Sequence, residues 1–320
     1  MSPSEQDTHQ PHPNTLPTVE GFRSHVDAHH GIFDPRGQIT QTQDRTHAVS
    51  ILAGAFLNSF HGSVSAILNN TTVSRDDPLT RTTMTLDLLD KIEYGEPETA
   101  VEAAQLLWKI HSHASATLDD GTVVTATDTD LLAVAFVTGF RCTAALRVLE
   151  RITAPHYDQD HADELFAAYW TERAGLMAAV GIPHSYLPTD PVDAVQWWSD
   201  QIQQHLRIDA AQHTLEAVLD SFESTASTQV TDTKTRRLAH AASGAAVRVV
   251  RTVAYYAAPP TLRAAAWPDG PPATGHALAM TIPATKHLPD WMFGGLPREC
   301  PQARRVAQLL AEEGRDASAT

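Results

Sequence analysis

Several histidines lie where their imidazole rings could act as ligands. His25 and His29 stand four residues apart in the segment HVDAHH, and on a helix such a pair can hold a metal. No third ligand accompanies them, so a polar surface segment is the simpler interpretation. His61 follows an apolar helical segment and is either a pocket residue or a buried, hydrogen-bonded helix end. His111 lies late in another predicted helix, where an isolated histidine is more often a core or surface residue than a ligand.

Arg81 and Thr85 form a second candidate group, because residues four apart share one face of a helix. Asp77 and Pro78 precede them as an acidic cap and a first-turn proline, which is typical of a helix start. The alternatives are an ion-paired surface arginine and a threonine that bonds back to its own helix. His113 cannot share a ligand with His111, since residues two apart point to opposite sides of a helix.

The elements that must position these side chains are helices. Apolar residues recur at helical spacing, and caps, prolines and glycines mark where the helices begin and end. Extended structure is predicted only for the short segment 121–126. The sequence therefore predicts an all-α, single-domain helical bundle with little or no sheet. Predicted helices cover about residues 46–60, 76–94, 97–116, 128–152, 162–180, 190–204, 209–224, 234–257 and 302–313.

Domain organisation follows from composition. Residues 1–40 are rich in Pro, His and Gly and are predicted to be a loosely ordered arm, with one helical domain over 41–320. Hydrophobic residues make up 42% of the 320-residue chain, enough for a sizeable core. The two cysteines, Cys142 and Cys300, build neither a disulfide framework nor a CxxC zinc site.

Charge and missing motifs exclude several classes of function. A net charge of −15 disfavours binding to nucleic acid or to anionic membranes. Nucleotide-binding, zincin and serine-hydrolase motifs are absent, as is a CxxCH motif for covalent heme. We expect no membrane span and no export signal, and hence a cytoplasmic protein. Oligomeric state is left open.

A series of short motifs runs through the middle of the chain. Each is weak alone, but their order and spacing together are specific. They are FHGSVSA at 60–66, DPLTRTTMT at 77–85, IHSHAS at 110–115, TATDTDLLAVAF at 125–136, YWTE at 169–172, GIP at 181–183, YLPTD at 186–190 and QWW at 196–198.

From about residue 50 to 205, these motifs resemble those of the latex-clearing proteins and MpaB-type heme oxygenases. The resemblance implies non-covalent heme b with its iron bound by His111, and dioxygen as co-substrate. It places Arg81 and Thr85 near the open side of the heme as catalytic residues, with Arg81, His61 and Phe136 as further cofactor-binding residues. It implies a heme-dependent oxygenase acting on an apolar small molecule, such as an isoprenoid or an intermediate of secondary metabolism.

The chain departs from the family pattern around the expected heme. Arginines that flank the family's heme histidine are replaced by Trp108 and Ser115, and a basic residue is replaced by Met84. Phe136 stands where relatives have a histidine, which removes a possible acid–base group. Two alternative functions therefore stay open: a heme-binding relative without oxygenase turnover, and a heme-free helical protein that uses the old pocket for non-redox chemistry.

Overall fold

A computed structural model gives the fold of the chain as mostly helical. It describes residues 47–70, 84–85, 87–89, 91–92, 96–151, 157–183, 185–208 and 233–273, together with 308, 311–312 and 315. The prediction of an all-α fold is confirmed, with one small two-stranded sheet in the described ranges. The elements are α1 (His47–Asn58), α2 (Gly62–Asn70), α3 (Pro97–His111), β1 (Ser115–Thr117), β2 (Val123–Thr125), α4 (Thr129–Arg151), α5 (Gln159–Ala179), α6 (Pro191–Gln204), α7 (Thr233–Ala257) and α8 (Pro260–Ala266).

Helix α4 is the central element, packed against α1, α5, α6 and α7. Its apolar residues are buried on nearly every side, which explains why its sequence reads as a continuous apolar run rather than a stripe. By length and composition α4 could cross a membrane, but most of it is buried inside the protein, as in the core helix of a soluble protein.

The ends of two helices follow local signals that the sequence displays. Asp190 caps α6 by accepting hydrogen bonds from the backbone N–H groups of Val192 and Asp193, and Pro191 occupies the first turn. Before α4, the Asp128 carboxylate accepts hydrogen bonds from the backbone N–H and the hydroxyl of Thr125. Both predicted helix starts are confirmed.

Helix α3 ends earlier than predicted, at His111 rather than near residue 116. The following residues form β1, which pairs antiparallel with β2 so that Ala116 lies opposite Val124. The Asn70 side chain, at the end of α2, donates a hydrogen bond to the Ser115 carbonyl over 2.7 Å. Strand β2 lies within the segment 121–126 where extended structure was predicted, but β1 and α2 were not predicted.

Aromatic residues fill much of the core. Trp198 is fully buried, and Trp197 packs edge-on against Tyr186, so both indoles are core residues as predicted. Several predicted features lie outside the described residues: the arm at 1–40 with His25 and His29, the helix at 209–224, Arg81 and Cys300. The division into arm and single domain stays a prediction.

Candidate functional site

An apolar cavity of about 270 Å³ lies between α1, α3, α4 and α5. Most of its walls are aliphatic or aromatic, with a few hydroxyl, amide and imidazole groups among them. This composition is typical of small-molecule sites, although the volume is slightly below their usual range. The lining residues are Ser50, Ile51, Gly54, Ala55, Asn58, Thr85, Leu89, Leu107, His111, Leu132, Ala135, Phe136, Gly139, Phe140, Thr143, Tyr169, Leu176 and Val180.

Three of the predicted site residues meet at this cavity: His111, Thr85 and Phe136. His111 is the last residue of α3, and Phe136 faces the cavity from α4. Among the described lining residues, His111 is the only one with an imidazole ring. The structure thus brings together side chains that are more than fifty positions apart in the sequence.

Two glycines shape the cavity where α1 crosses α4. A Cβ on Gly54 would lie 3.7 Å from the Cα of Gly139, so the two helix backbones approach closely. A Cβ on Gly139 would meet nothing within 4 Å, because this glycine borders open space. The crossing therefore leaves room that larger residues would fill.

An aromatic wall closes one side of the cavity. Phe136 and Phe140 meet edge-to-face with ring centroids 4.9 Å apart, and Phe140 stacks on Tyr169 at 6.1 Å. Trp170 lies behind Phe136 at 6.3 Å. Aromatic pairs of this geometry hold one another in place. The wall gives the cavity an apolar face.

His61 does not line the cavity. It is buried in the turn after α1, where its ring lies 4.7 Å from that of His205, and its Nδ1 has no hydrogen-bond partner within the part of the chain that the structure describes. Burial, together with the nearby charge of His205, lowers the pKa of His61 to about 4. Its backbone bridges to Leu206, which ties α1 to the end of α6. The geometry gives the cofactor-binding role predicted for His61 no support.

The three residues that replace basic residues of the family pattern, Trp108, Ser115 and Met84, do not line the cavity. Trp108 packs on Gly181, whose φ of +81° is easily adopted by glycine and whose Cβ, if present, would come within 2.8 Å of the indole ring. Ser115 belongs to β1, and Met84 is exposed. Among the described lining residues none is an arginine or a lysine.

The donor set fits a heme better than a bare metal ion. No group of three or more His, Cys, Asp or Glu side chains suited to a metal occurs in the part of the chain that the structure describes. A porphyrin brings four nitrogen donors of its own, so a single protein imidazole suffices for the iron. The one His111 ring in an apolar cavity matches that requirement.

Comparison with known proteins places the chain in a family. The sequence model of the ER-bound oxygenase mpaB/B'/rubber oxygenase catalytic domain matches residues 42–284. The chain belongs to this family. The match confirms the resemblance found in the short motifs, and it covers every described wall of the cavity. No curated protein and no solved structure shows a significant match.

Membership of the MpaB/rubber oxygenase family gives the chain an oxygenase-like role. Sequence reasoning missed four polar residues that line the cavity: Ser50, Asn58, Thr143 and Tyr169. Tyr169 lies within the YWTE motif, which was recognised in the sequence but was not assigned a function. Asn58 is the last residue of α1, and only its tertiary contacts distinguish it from an ordinary polar helix end.

Proposed function

We propose that the chain is a heme b-dependent oxygenase whose iron is bound by His111 and whose substrate is an apolar small molecule. The observation that carries the proposal is the His111 imidazole at an apolar cavity inside an oxygenase catalytic domain. Bound heme would supply the binding and activation of dioxygen, the chemistry that protein side chains lack.

The residues of the chain would have separate tasks. His111 would bind the iron from the end of α3. The aromatic wall of Phe136, Phe140 and Tyr169 would hold an apolar substrate and exclude water. Thr85 would offer a hydroxyl group at the cavity surface. Arg81, in the role that the family resemblance implies, would pair with a heme propionate or polarise bound oxygen.

The partner and the location of the protein belong to the same proposal. Walls that are mostly apolar favour an apolar substrate, and the chain's net charge of −15 does not favour nucleic acid. Two cysteines, of which Cys142 is buried and free, suit the reducing cytoplasm. We propose a cytoplasmic enzyme acting on a small metabolite.

The experiment that tests the proposal is a heme titration of the full chain, followed by absorption spectroscopy. We expect the wild-type protein to give a Soret band that is lost or shifted in His111→Ala. The matched control is His113→Ala, because His113 is exposed and its Nδ1 donates a hydrogen bond to the Lys109 carbonyl over 2.7 Å. Equal spectra for wild type and His111→Ala would refute ligation by His111, and a folded but colourless wild type would refute heme binding.

A further inference from the structure

Asn58 presents a polar group inside the otherwise apolar cavity. The residue lines the cavity from the end of α1 and is only 8% exposed. Its carboxamide oxygen accepts a hydrogen bond from the Thr138 hydroxyl over 2.7 Å. Its carboxamide nitrogen has no hydrogen-bond partner among the described residues. Asn58 is absent from the fully buried, unpaired polar groups of the described residues, so its nitrogen is accessible from the cavity and can donate to a molecule bound there.

A chain of buried hydrogen bonds determines which way the Asn58 carboxamide is turned. The indole N–H of Trp198 donates to the Thr138 hydroxyl oxygen over 2.8 Å. Because an indole nitrogen can only donate, the hydroxyl proton of Thr138 is free to point away from it. Two acceptors lie 2.7 Å from Thr138 Oγ1, the Asn58 carboxamide oxygen and the Val134 carbonyl oxygen.

Only one of these two acceptors depends on the hydroxyl for a donor. The Val134 carbonyl already accepts the backbone N–H of Thr138, four residues later in α4. The Asn58 oxygen has no other donor among the described residues, so the hydroxyl proton satisfies it. With the oxygen held by Thr138, the NH₂ group of Asn58 is directed to the cavity side.

We propose that the Asn58 carboxamide donates a hydrogen bond to an acceptor oxygen, such as a carbonyl, on an otherwise apolar substrate. The proposal deepens the proposed function, since it rests on the cavity being the substrate site. It narrows the substrate class from apolar molecules in general to those that carry an oxygen near one end. A pure hydrocarbon would leave the Asn58 N–H group unpaired, and a site built around a polar group discriminates against such analogues.

The test uses two probes of nearly equal shape, 2-acetylnaphthalene and 2-isopropenylnaphthalene, which differ by a carbonyl oxygen in place of a methylene group. Their affinities for the full chain, purified from cells supplied with a heme precursor, are measured by calorimetry. We expect Asn58→Leu to lower the affinity for the ketone relative to the alkene by about tenfold. Asn69→Leu, the same change at an exposed position of α2, should leave the ratio unchanged.

An unchanged ratio in Asn58→Leu would overturn the proposal. A ratio that shifts towards the ketone would overturn it too, because the amide oxygen would then face the cavity. If Asn58→Leu fails to fold, the infrared spectrum of the ketone bound to the wild-type protein decides. We expect its carbonyl stretch at a lower frequency than in an alkane solvent, and an equal frequency would overturn the proposal.

The same samples separate this proposal from the heme proposal. Heme content is read from the Soret band, and probe preference is read from calorimetry. A colourless chain that prefers the ketone through Asn58 would refute heme dependence and support the hydrogen bond. A heme-containing chain with no such preference would support heme binding and refute the hydrogen bond.

Discussion

At the scale of single residues, the structure distinguishes two histidines that have similar sequence contexts. Both His61 and His111 follow apolar helical segments, yet His111 lines the cavity while His61 is buried against His205. Sequence periodicity places each histidine on its helix but does not say what that helix face meets. Only the crossing of distant elements distinguishes a candidate ligand from a core residue.

The buried His61 predicts a pH dependence of stability. Its pKa of about 4 in the folded state is below the 6.5 expected when unfolded, so the unfolded chain binds the proton more readily. The contribution of neutral His61 is therefore complete above pH 6.5 and is lost as the pH falls towards 4. The loss amounts to about 3 kcal/mol in the free energy of unfolding.

Urea unfolding between pH 4 and 7 measures this effect. We expect His61→Gln to have a flatter pH dependence than the wild type, because glutamine does not titrate. His113→Gln, which removes an exposed histidine, serves as the control. A wild-type and a His61→Gln protein that lose stability in parallel as the pH falls would contradict the assignment.

At the scale of elements, the GIP motif has a structural explanation in the contact between Gly181 and Trp108. Gly181 has φ of +81°, and a Cβ there would lie 2.8 Å from the Trp108 ring. Gly121 has a similar φ of +85° but nothing within 4 Å of its Cβ position. Substitution of Gly121 therefore measures the cost of backbone strain alone, and substitution of Gly181 measures that cost together with the steric contact.

We expect Gly121→Ala to destabilise the protein by about 1 kcal/mol, the cost of a left-handed conformation for a residue with a Cβ. Gly181→Ala should lower the free energy of unfolding further, because the Trp108 ring must also shift. In a Trp108→Leu background, Gly181→Ala should cost no more than Gly121→Ala does in the wild type. Chemical denaturation measures these variants, and equal losses for the two single glycine variants would rule out the contact.

Among the helix ends, some could be predicted from the sequence and others could not. The start of α6 was predictable because Asp190 and Pro191 act locally. The end of α3 was not, since no glycine or proline follows His111 and the stop depends on the pairing of β1 with β2. Asn58 went unnoticed because its partner Thr138 is 80 positions away, and Trp198, which bonds to Thr138, is 140 positions away. Contacts of that separation leave no local pattern.

At the scale of the whole molecule, the cavity lies between four helices, α1, α3, α4 and α5. Filling it should therefore raise the free energy of unfolding of the whole bundle. A ligand that binds only the folded state adds about 2.7 kcal/mol when its concentration is a hundred times Kd. We expect hemin to raise the Tm of the wild-type protein by several degrees and to have a smaller effect on His111→Ala. Differential scanning calorimetry measures both, and equal shifts would indicate binding that does not involve His111.

The family match and the cavity are two separate observations on the same part of the chain. The sequence model of the oxygenase catalytic domain covers residues 42–284, and the lining described above falls inside that range. Most of that lining is aliphatic or aromatic.

The central claim, that His111 binds heme iron, is tested most directly by chemical rescue. The Soret band of His111→Gly, loaded with heme, is recorded before and after addition of free imidazole. We predict a band that is weak or shifted in the variant and that returns to the wild-type position with imidazole, because the free ligand replaces the missing side chain. A wild-type Soret band in His111→Gly without imidazole would contradict the assignment of His111 as the iron ligand.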